Sequence, residues 1–280
     1  MFFKLLSHDL NNGIRKRLAY YAAALVISLT FCQGCYLVIQ SLNRRGVVAL
    51  SGNLADYLVY LFQGMKVYYP GPDNPFIFPV MWVIIFILSA YLMLGYPFYD
   101  ITRFGQQILV RGKSRYYWWI SKCIWNVCGT VLYFGIFYLG AVLFCFVRGI
   151  PISFQVTPEL LKNLLKTAAE IEMTAGECVL YLLVLPILVS LAFNMLEMLL
   201  GLLTKPVFSF GAVSLFMIIS AYYKADWAIG NHSMVLRGSK VLGEDGVHTG
   251  TGLLLIGGIV IFSVVLGCIR FKRYDILTRE

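Results

Sequence analysis

Six long apolar runs constrain the fold of this chain more than any other feature. They cover about residues 18–39, 77–99, 118–147, 179–203, 207–222 and 252–269. A helix needs about 20 apolar residues to cross roughly 30 Å of hydrocarbon, and each run is near or above that length. With 59% hydrophobic and 13% charged residues, the chain cannot hide its apolar surface in a soluble fold. Membrane strands would instead show alternating segments of about 10 residues. We therefore predict an all-α polytopic membrane protein with six transmembrane helices.

Basic residues indicate how these helices are oriented. With the N-terminus inside, the inner segments carry 14 of the 23 Lys and Arg residues and only four acidic residues. The outer segments carry nine basic and nine acidic residues, so the positive charge is concentrated on one face. Because cytosolic loops are enriched in Lys and Arg, both termini are predicted to be cytosolic. The same charge favours anionic membrane lipid over nucleic acid as a partner.

Residues 1–17 have the pattern of an amphipathic helix. Apolar side chains recur at spacings of three and four, while Asp9 and the basic residues fall on other faces. The apolar set is Phe2, Phe3, Leu6, Leu10 and Ile14. Such a helix lies along the inner membrane interface, with domain 18–280 forming the transmembrane part. A flank that only sets the topology is the alternative.

Several local signals refine the spans and loops. Thr157-Pro158-Glu159 has the residues of a helix start, so we predict an outer helix over 157–172. Pro186 is predicted to kink the fourth span, and only residues 204–206 separate that span from the fifth. Trp118 and Trp119, with Tyr116 and Tyr117, are predicted to form an interfacial aromatic belt. The seven cysteines lie in or at the ends of spans, which argues against a disulfide framework.

Few residues carry a pattern that suggests chemistry. There is no His-Glu-x-x-His zinc motif, and Gly112-Lys113-Ser114 lacks the earlier glycine of a phosphate-binding loop. Glu197 is the one acidic residue well inside a span, with Asn194 one turn earlier on the same face. An ionised carboxylate near mid-bilayer costs about 2.5–3.5 kcal/mol, so Glu197 should face protein or water. Asn194 and Glu197 are candidates for a substrate path; alternatively, Glu197 reaches out to Lys205 or lipid headgroups.

The segment between the second and third spans is amphipathic and basic. A helix starting near Asp100 would have an acidic residue at its N-terminus, which the helix dipole favours. It would place Ile101, Phe104 and Ile108 on one face, the arrangement of a helix that docks in a groove. Lying flat on the inner leaflet is the alternative role for the same face.

The order of these features resembles the ABC-2 family of exporter permeases. The run Arg-Gly-Lys-Ser-Arg-Tyr-Tyr-Trp-Trp-Ile-Ser-Lys at 111–122 is similar to the entry into the third span of bacterial members. The resemblance implies that segment 100–117 is a cytosolic coupling helix, which docks on an ABC ATPase subunit, and that 1–17 is the connecting helix. The implied docking residues are Asp100, Ile101, Arg103, Phe104, Ile108, Arg111, Lys113 and Arg115. The chain departs from the family in having a sizeable helical loop between the third and fourth spans.

The resemblance also implies a role for the whole chain. It would be the permease subunit of an ATP-driven exporter in the bacterial cytoplasmic membrane, paired with a second permease chain and two ATPases. It would not be an enzyme and would hold no cofactor, because ATP and Mg belong to the partner ATPase. A peptide, a lipid-linked molecule or a drug would each fit as substrate. The alternatives are a stand-alone channel or immunity protein and an intramembrane enzyme.

Overall fold

The computed structural model describes residues 2–71, 75–101, 115–167 and 170–272, and it is built from helices. About 78% of the described residues are helical, and none of them forms a strand; Gly238 and Val247 form an isolated bridge. The helices are α1 (Phe2–Gly13), α2 (Leu18–Arg44), α3 (Leu54–Leu61), α4 (Val80–Met93), α5 (Tyr96–Ile101), α6 (Arg115–Arg148), α7 (Pro158–Leu165), α8 (Ala175–Val179), α9 (Leu185–Leu203), α10 (Pro206–Tyr222), α11 (Ser239–Leu242) and α12 (Thr249–Lys272).

Five helical stretches of the described chain are long and apolar enough to cross a membrane. They are Phe2–Arg44, Val80–Ile101, Arg115–Arg148, Ala175–Leu203 and Thr249–Lys272. The fifth predicted span, 207–222, corresponds to α10, whose 17 residues make it shorter than these five stretches. The prediction of a helical membrane protein is therefore confirmed.

The helices have two distinct ends. At one, which we call the α1 end, lie α1, the start of α2, α5, the start of α6, the α9–α10 turn and the close of α12. The other, the loop end, holds the described parts of the connections 45–79, 149–174 and 223–248. The hydroxyls of Tyr181 and Thr249 lie 2.6 Å apart, so the segments leading into α9 and α12 start side by side at the loop end.

Helices α6 and α9 form the centre of the bundle. Helix α6 packs against α1, α2, α9 and α12, and α9 packs against α4, α6, α10 and α12. Small residues allow the closest approaches: a Cβ added at Gly140 would lie 2.9 Å from the Cβ of Ser28 on α2. Close backbone contact through small residues is how helices associate where lipid removes the hydrophobic driving force.

The fourth span deviates from an α-helix where the sequence predicts a kink. A π-helical turn covers Leu180–Val184, just before Pro186. Proline has no N–H to donate to the carbonyl four residues earlier, here that of Leu182. The Tyr138 hydroxyl lies 3.0 Å from this carbonyl oxygen and 3.1 Å from that of Leu183. A side chain of α6 thus replaces the backbone hydrogen bond that the proline removes, as a membrane interior requires.

The second span is interrupted earlier than the sequence suggests. Instead of continuing over 77–99, α4 stops at Met93 and the chain turns at Gly95. Gly95 has a φ of +84°, a backbone conformation that favours glycine. Helix α5 then starts at Tyr96, so Asp100 lies inside a helix that has already begun and does not begin a new one as predicted.

The loop end contains a buried helix that the sequence did not indicate. Helix α3 starts with a capping box in which Asn53 and Asp56 bond each other's backbone N–H groups. The Asp56 carboxylate also accepts a 2.8 Å hydrogen bond from the Thr157 N–H, just before α7. Helix α7 begins at Pro158 as predicted but ends at Leu165, where Lys166 adopts a left-handed conformation. Asp56 therefore joins two connections of the loop end.

Arg237 organises the rest of the loop end. It is fully buried, and its guanidinium donates to the carbonyls of Ser220, Ala221 and Tyr223 at the close of α10. The same group reaches the Met65 carbonyl and the Asn231 side chain. The Ser220 and Ala221 carbonyls lie in the last turn of α10, where a helix leaves carbonyl groups without partners. A cation at this end also complements the helix dipole. Burial lowers the pKa of Arg237 to about 10, so it remains charged at neutral pH.

Candidate functional site

A buried cluster of charged residues joins three segments at the α1 end. Asp9 comes from α1, Asp100 from α5 and Lys122 from the first turns of α6. We call these three residues the ion joint. Asp9 and Lys122 are fully buried and Asp100 is 7% exposed. Counting side chains alone, the joint holds two carboxylates and one ammonium.

Helix α1 presents Asp9 to the protein because of its spacing along one face. Leu5, Asp9 and Gly13 recur every four residues, and all three are buried. At Gly13 a Cβ would lie 2.2 Å from the Trp125 ring, so only glycine lets α1 pack this closely on α6. Phe3, on the predicted apolar stripe, is 81% exposed. The predicted helix exists, but Asp9 faces α6 and not water.

The three charged groups of the ion joint are hydrogen-bonded to one another and to neighbouring side chains. The Lys122 ammonium donates to an Asp9 oxygen and, at 2.6 Å, to an Asp100 oxygen. The Ser121 and Tyr96 hydroxyls donate to Asp9 at 2.5 and 3.0 Å. The indole N–H of Trp118 donates to Asp100 at 3.2 Å. This density of hydrogen bonds offsets the cost of removing charges from water.

Aromatic rings surround the ammonium. Its nitrogen lies 4.7 Å from the centre of the Tyr96 ring and 4.9 Å from that of Trp118, within the range of cation–π attraction. Trp118 stacks on Phe271 of α12, with ring centres 4.5 Å apart. Trp118 and Trp119 are therefore buried, contrary to the predicted interfacial belt, because they pack α6 onto α12. Tyr116 and Tyr117 beside them are exposed.

His8 supplies a further nitrogen next to the ion joint. Its Nε2 lies 3.6 Å from Oδ1 of Asp100. A protonated His8 would balance the second carboxylate, so the joint with His8 would carry no net charge. The cluster has the chemistry of a clamp that holds α1, α5 and α6 together.

The structure separates the predicted docking residues into three groups. Asp100 belongs to the ion joint, and Ile101 is buried in an apolar cluster with Leu5 and Trp118, so neither is exposed to a partner as predicted. Arg115 lies at the start of α6 and donates a 3.0 Å hydrogen bond to the Lys272 carbonyl. The remaining predicted docking residues, Arg103, Phe104, Ile108, Arg111 and Lys113, lie outside the described residues.

The two substrate-path candidates lie in a buried polar layer of the bundle. The Asn194 amide nitrogen donates to the hydroxyls of Thr130 at 2.9 Å and Ser89 at 3.1 Å. Ser89 and Ser190 share a 2.8 Å hydrogen bond between their hydroxyls, and Asn126 donates to the Asn194 carbonyl. The layer thus joins α4, α6 and α9 through polar side chains.

Glu197 lies one turn after Asn194 on α9 but takes part in none of the hydrogen bonds of the polar layer. It is 2% exposed, and among the described residues neither of its carboxyl oxygens has a hydrogen-bond partner. The Asn194 side-chain oxygen is likewise without a partner there. Glu197 therefore does not reach Lys205 as the alternative interpretation supposed.

The described residues contain no group of three or more His, Cys, Asp or Glu side chains that could hold a metal ion. All seven cysteines are free, as predicted. The fold and the ion joint thus define a helical membrane protein in which several helices are clamped at one end.

Comparison with known proteins assigns a family. Residues 55–277 match the family described as "Protein of unknown function (DUF2705)", and the chain belongs to it. The match covers α3 to α12 and includes Asp100, Lys122 and Glu197, whereas Asp9 precedes it. No curated protein and no solved structure matches the chain.

Lys122 is expected to be required for a stable fold. Lys122→Met would leave two buried carboxylates without their cation, which costs about 3–5 kcal/mol. The triple variant Asp9→Asn/Asp100→Asn/Lys122→Met leaves no unpaired charge and should recover much of the loss. Thermal unfolding in detergent, followed by circular dichroism, measures both. Lys162→Met is the matched control, because Lys162 forms only an exposed ion pair with Glu170. A Lys122→Met protein as stable as the control would contradict this account of the joint.

Proposed function

We propose that this chain is the permease subunit of an ATP-driven ABC exporter of the ABC-2 type. The observation that carries the proposal is where the ion joint lies. Asp100 lies two residues before segment 102–114, and Lys122 lies eight residues after it. The joint fixes both ends of that segment to each other and to α1. A partner that pushes on the segment would therefore move α5, α6 and α1 together.

A permease needs such a rigid connection because the energy for transport comes from ATP hydrolysis in a separate subunit. In this proposal the ATPase dimer closes on ATP, segment 100–117 moves with it, and the load passes through the joint to the bundle. Helix α6, 34 residues long, carries the movement from the joint to the loop end. It passes the polar layer around Asn194 on the way. Rigid elements with few alternative arrangements are what such coupling requires.

The proposal includes six membrane crossings. Helix α10 is about 26 Å long at 1.5 Å per residue, short for a crossing but within the range that a bilayer accommodates. It follows α9 after a two-residue turn, and its last carbonyls bond Arg237 among the outer connections. Helix α10 thus returns the chain to the loop end, from which α12 starts. With an even number of crossings both termini lie on the same side, and the basic residues at the α1 end identify that side as cytosolic.

Labelling of single cysteines tests this orientation. On a cysteine-free background, Ser7→Cys should react with a membrane-impermeant maleimide only after the cells are opened, and Glu244→Cys should react in intact cells. Both positions are exposed, on α1 and in the loop end respectively. Ser233, which also lies in the loop end, would be a poor labelling position because its side chain is buried. Labelling of Ser7→Cys from outside would contradict the topology.

Coupling to an ATPase is testable at Phe104. Buried aromatic residues dominate interface energies, so Phe104→Ala should cost about 2 kcal/mol or more of ATPase binding. We would coexpress the chain with a candidate ABC ATPase from the same genome, purify the complex in detergent, and measure ATPase recovery and ATP hydrolysis. Phe208→Ala, an exposed phenylalanine beside the α9–α10 turn, is the control. Full ATPase recovery and normal ATP hydrolysis with Phe104→Ala would contradict docking by this segment. The alternative, a segment that lies on the membrane surface, would then remain.

Glu197 tests the proposed substrate path. If it faces that path, Glu197→Gln should leave assembly intact but change the ATPase rate of the reconstituted complex on the order of fivefold or more. Glu159→Gln, an exposed outer carboxylate on α7, is the control and should leave the rate unchanged. An unaltered rate with Glu197→Gln would remove Glu197 from the path.

A further inference from the structure

A cleft of about 790 Å³ opens at the α1 end, next to the ion joint but outside it. It lies between three turns: the start of α2, the α4–α5 break and the α9–α10 turn. Aromatic side chains form much of its lining, and two cationic side chains, those of Arg17 and Lys205, also line it. The residues that carry the argument are Arg17, Lys205, Tyr20, Tyr91, Phe98 and Tyr99.

The charge of the cleft has one sign. Arg17 and Lys205 line it, and none of the described residues that line it is Asp or Glu. Lys205 is exposed and Arg17 is partly exposed; neither takes part in a salt bridge among the described residues. Arg17 also lies 5.5 Å from the centre of the Tyr96 ring. The two cations belong to segments far apart in the chain, and the fold brings them to one opening.

The walls suit a hydrocarbon chain with a polar head. Tyr20, Tyr91 and Tyr99 are 58–63% exposed, which is unusual for large rings unless lipid covers them. Tyrosine has an apolar ring and a polar tip, and it is enriched at the height of lipid headgroups. The cleft lies at the ends of apolar helices, the depth at which headgroups meet acyl chains.

We infer that this cleft binds an anionic phospholipid. Its phosphate would lie between Arg17 and Lys205, and one acyl chain would run along the tyrosine wall. Basic pockets between membrane helices on the cytosolic side bind lipid headgroups in this way. A soluble phosphate would use the two cations but would leave the aromatic wall uncovered, which favours the lipid.

The site would also connect lipid to the ion joint. Tyr96 lies between them: its ring faces Arg17 and its hydroxyl donates to Asp9. Only the Tyr96 side chain would therefore separate a phosphate bound by Arg17 from the ion joint. The inference does not depend on the proposed transport function, because lipid binding is measured on the chain alone.

Native mass spectrometry of the full chain in detergent tests the inference. The protein is incubated with equal amounts of phosphatidylglycerol and phosphatidylcholine that carry identical acyl chains, and retained lipid is counted. Wild type should retain phosphatidylglycerol in preference. The variant Arg17→Gln/Lys205→Gln should bind it roughly 30-fold more weakly, which corresponds to about 2 kcal/mol for two cations.

A matched variant separates the cleft from general surface charge. Arg15→Gln/Lys16→Gln removes two exposed cations from the same turn, and neither lines the cleft. It should reduce affinity by less than about threefold, because exposed charges are screened by salt. Circular dichroism and thermal unfolding in phosphatidylcholine confirm that both variants fold.

Three results would overturn the inference. Wild type could retain the two lipids equally, or Arg15→Gln/Lys16→Gln could weaken binding as much as the cleft variant. Thirdly, glycerol phosphate, a headgroup without acyl chains, could displace phosphatidylglycerol at a similar concentration, which would identify a free-phosphate site. The inference is supported if wild type prefers phosphatidylglycerol, if only the cleft variant loses that preference, and if glycerol phosphate does not displace the lipid.

Discussion

The architecture of the α1 end depends on one buried ammonium group. Lys122 has no exposed surface, so its charge must be balanced by protein groups, and two carboxylates from other segments supply that balance. Removing one member would leave an uncompensated buried charge, far more costly than losing an exposed pair. The helices that carry Asp9 and Asp100 are therefore fixed relative to α6, and Trp118 extends the connection to Phe271 of α12.

The same requirement, that polar groups without water find partners, explains the other unusual features of the fold. Tyr138 bonds the carbonyl that Pro186 leaves free, and Arg237 bonds the last carbonyls of α10. Asn194 is bonded to hydroxyls of two neighbouring helices. Glu197 departs from this pattern, since its oxygens have no partner among the described residues. A buried carboxyl group that the fold does not satisfy is a natural place for function.

Much of the helix layout was predictable because apolar length is a local property. The runs at 179–203 and 207–222 agree with the observed helix ends to within a few residues, since the turn at Thr204–Lys205 interrupts the apolar sequence. Errors arose where apolar residues continue through a break. Residues 77–99 read as one span, but Gly95 turns the chain inside it. Helix α3 was missed because a short apolar stretch in a mixed loop has no distinctive period.

Sequence by itself determined that the chain is a helical membrane protein, approximately where its helices lie, and that positive charge collects at one end, because hydropathy and charge can be read residue by residue. Only the tertiary structure decided which charged residues meet. Asp9 and Lys122 are 113 positions apart and had looked like two ordinary charges at a membrane surface. Pairing between distant segments is set by how α1 packs on α6, through Gly13 against Trp125, and no local pattern encodes it.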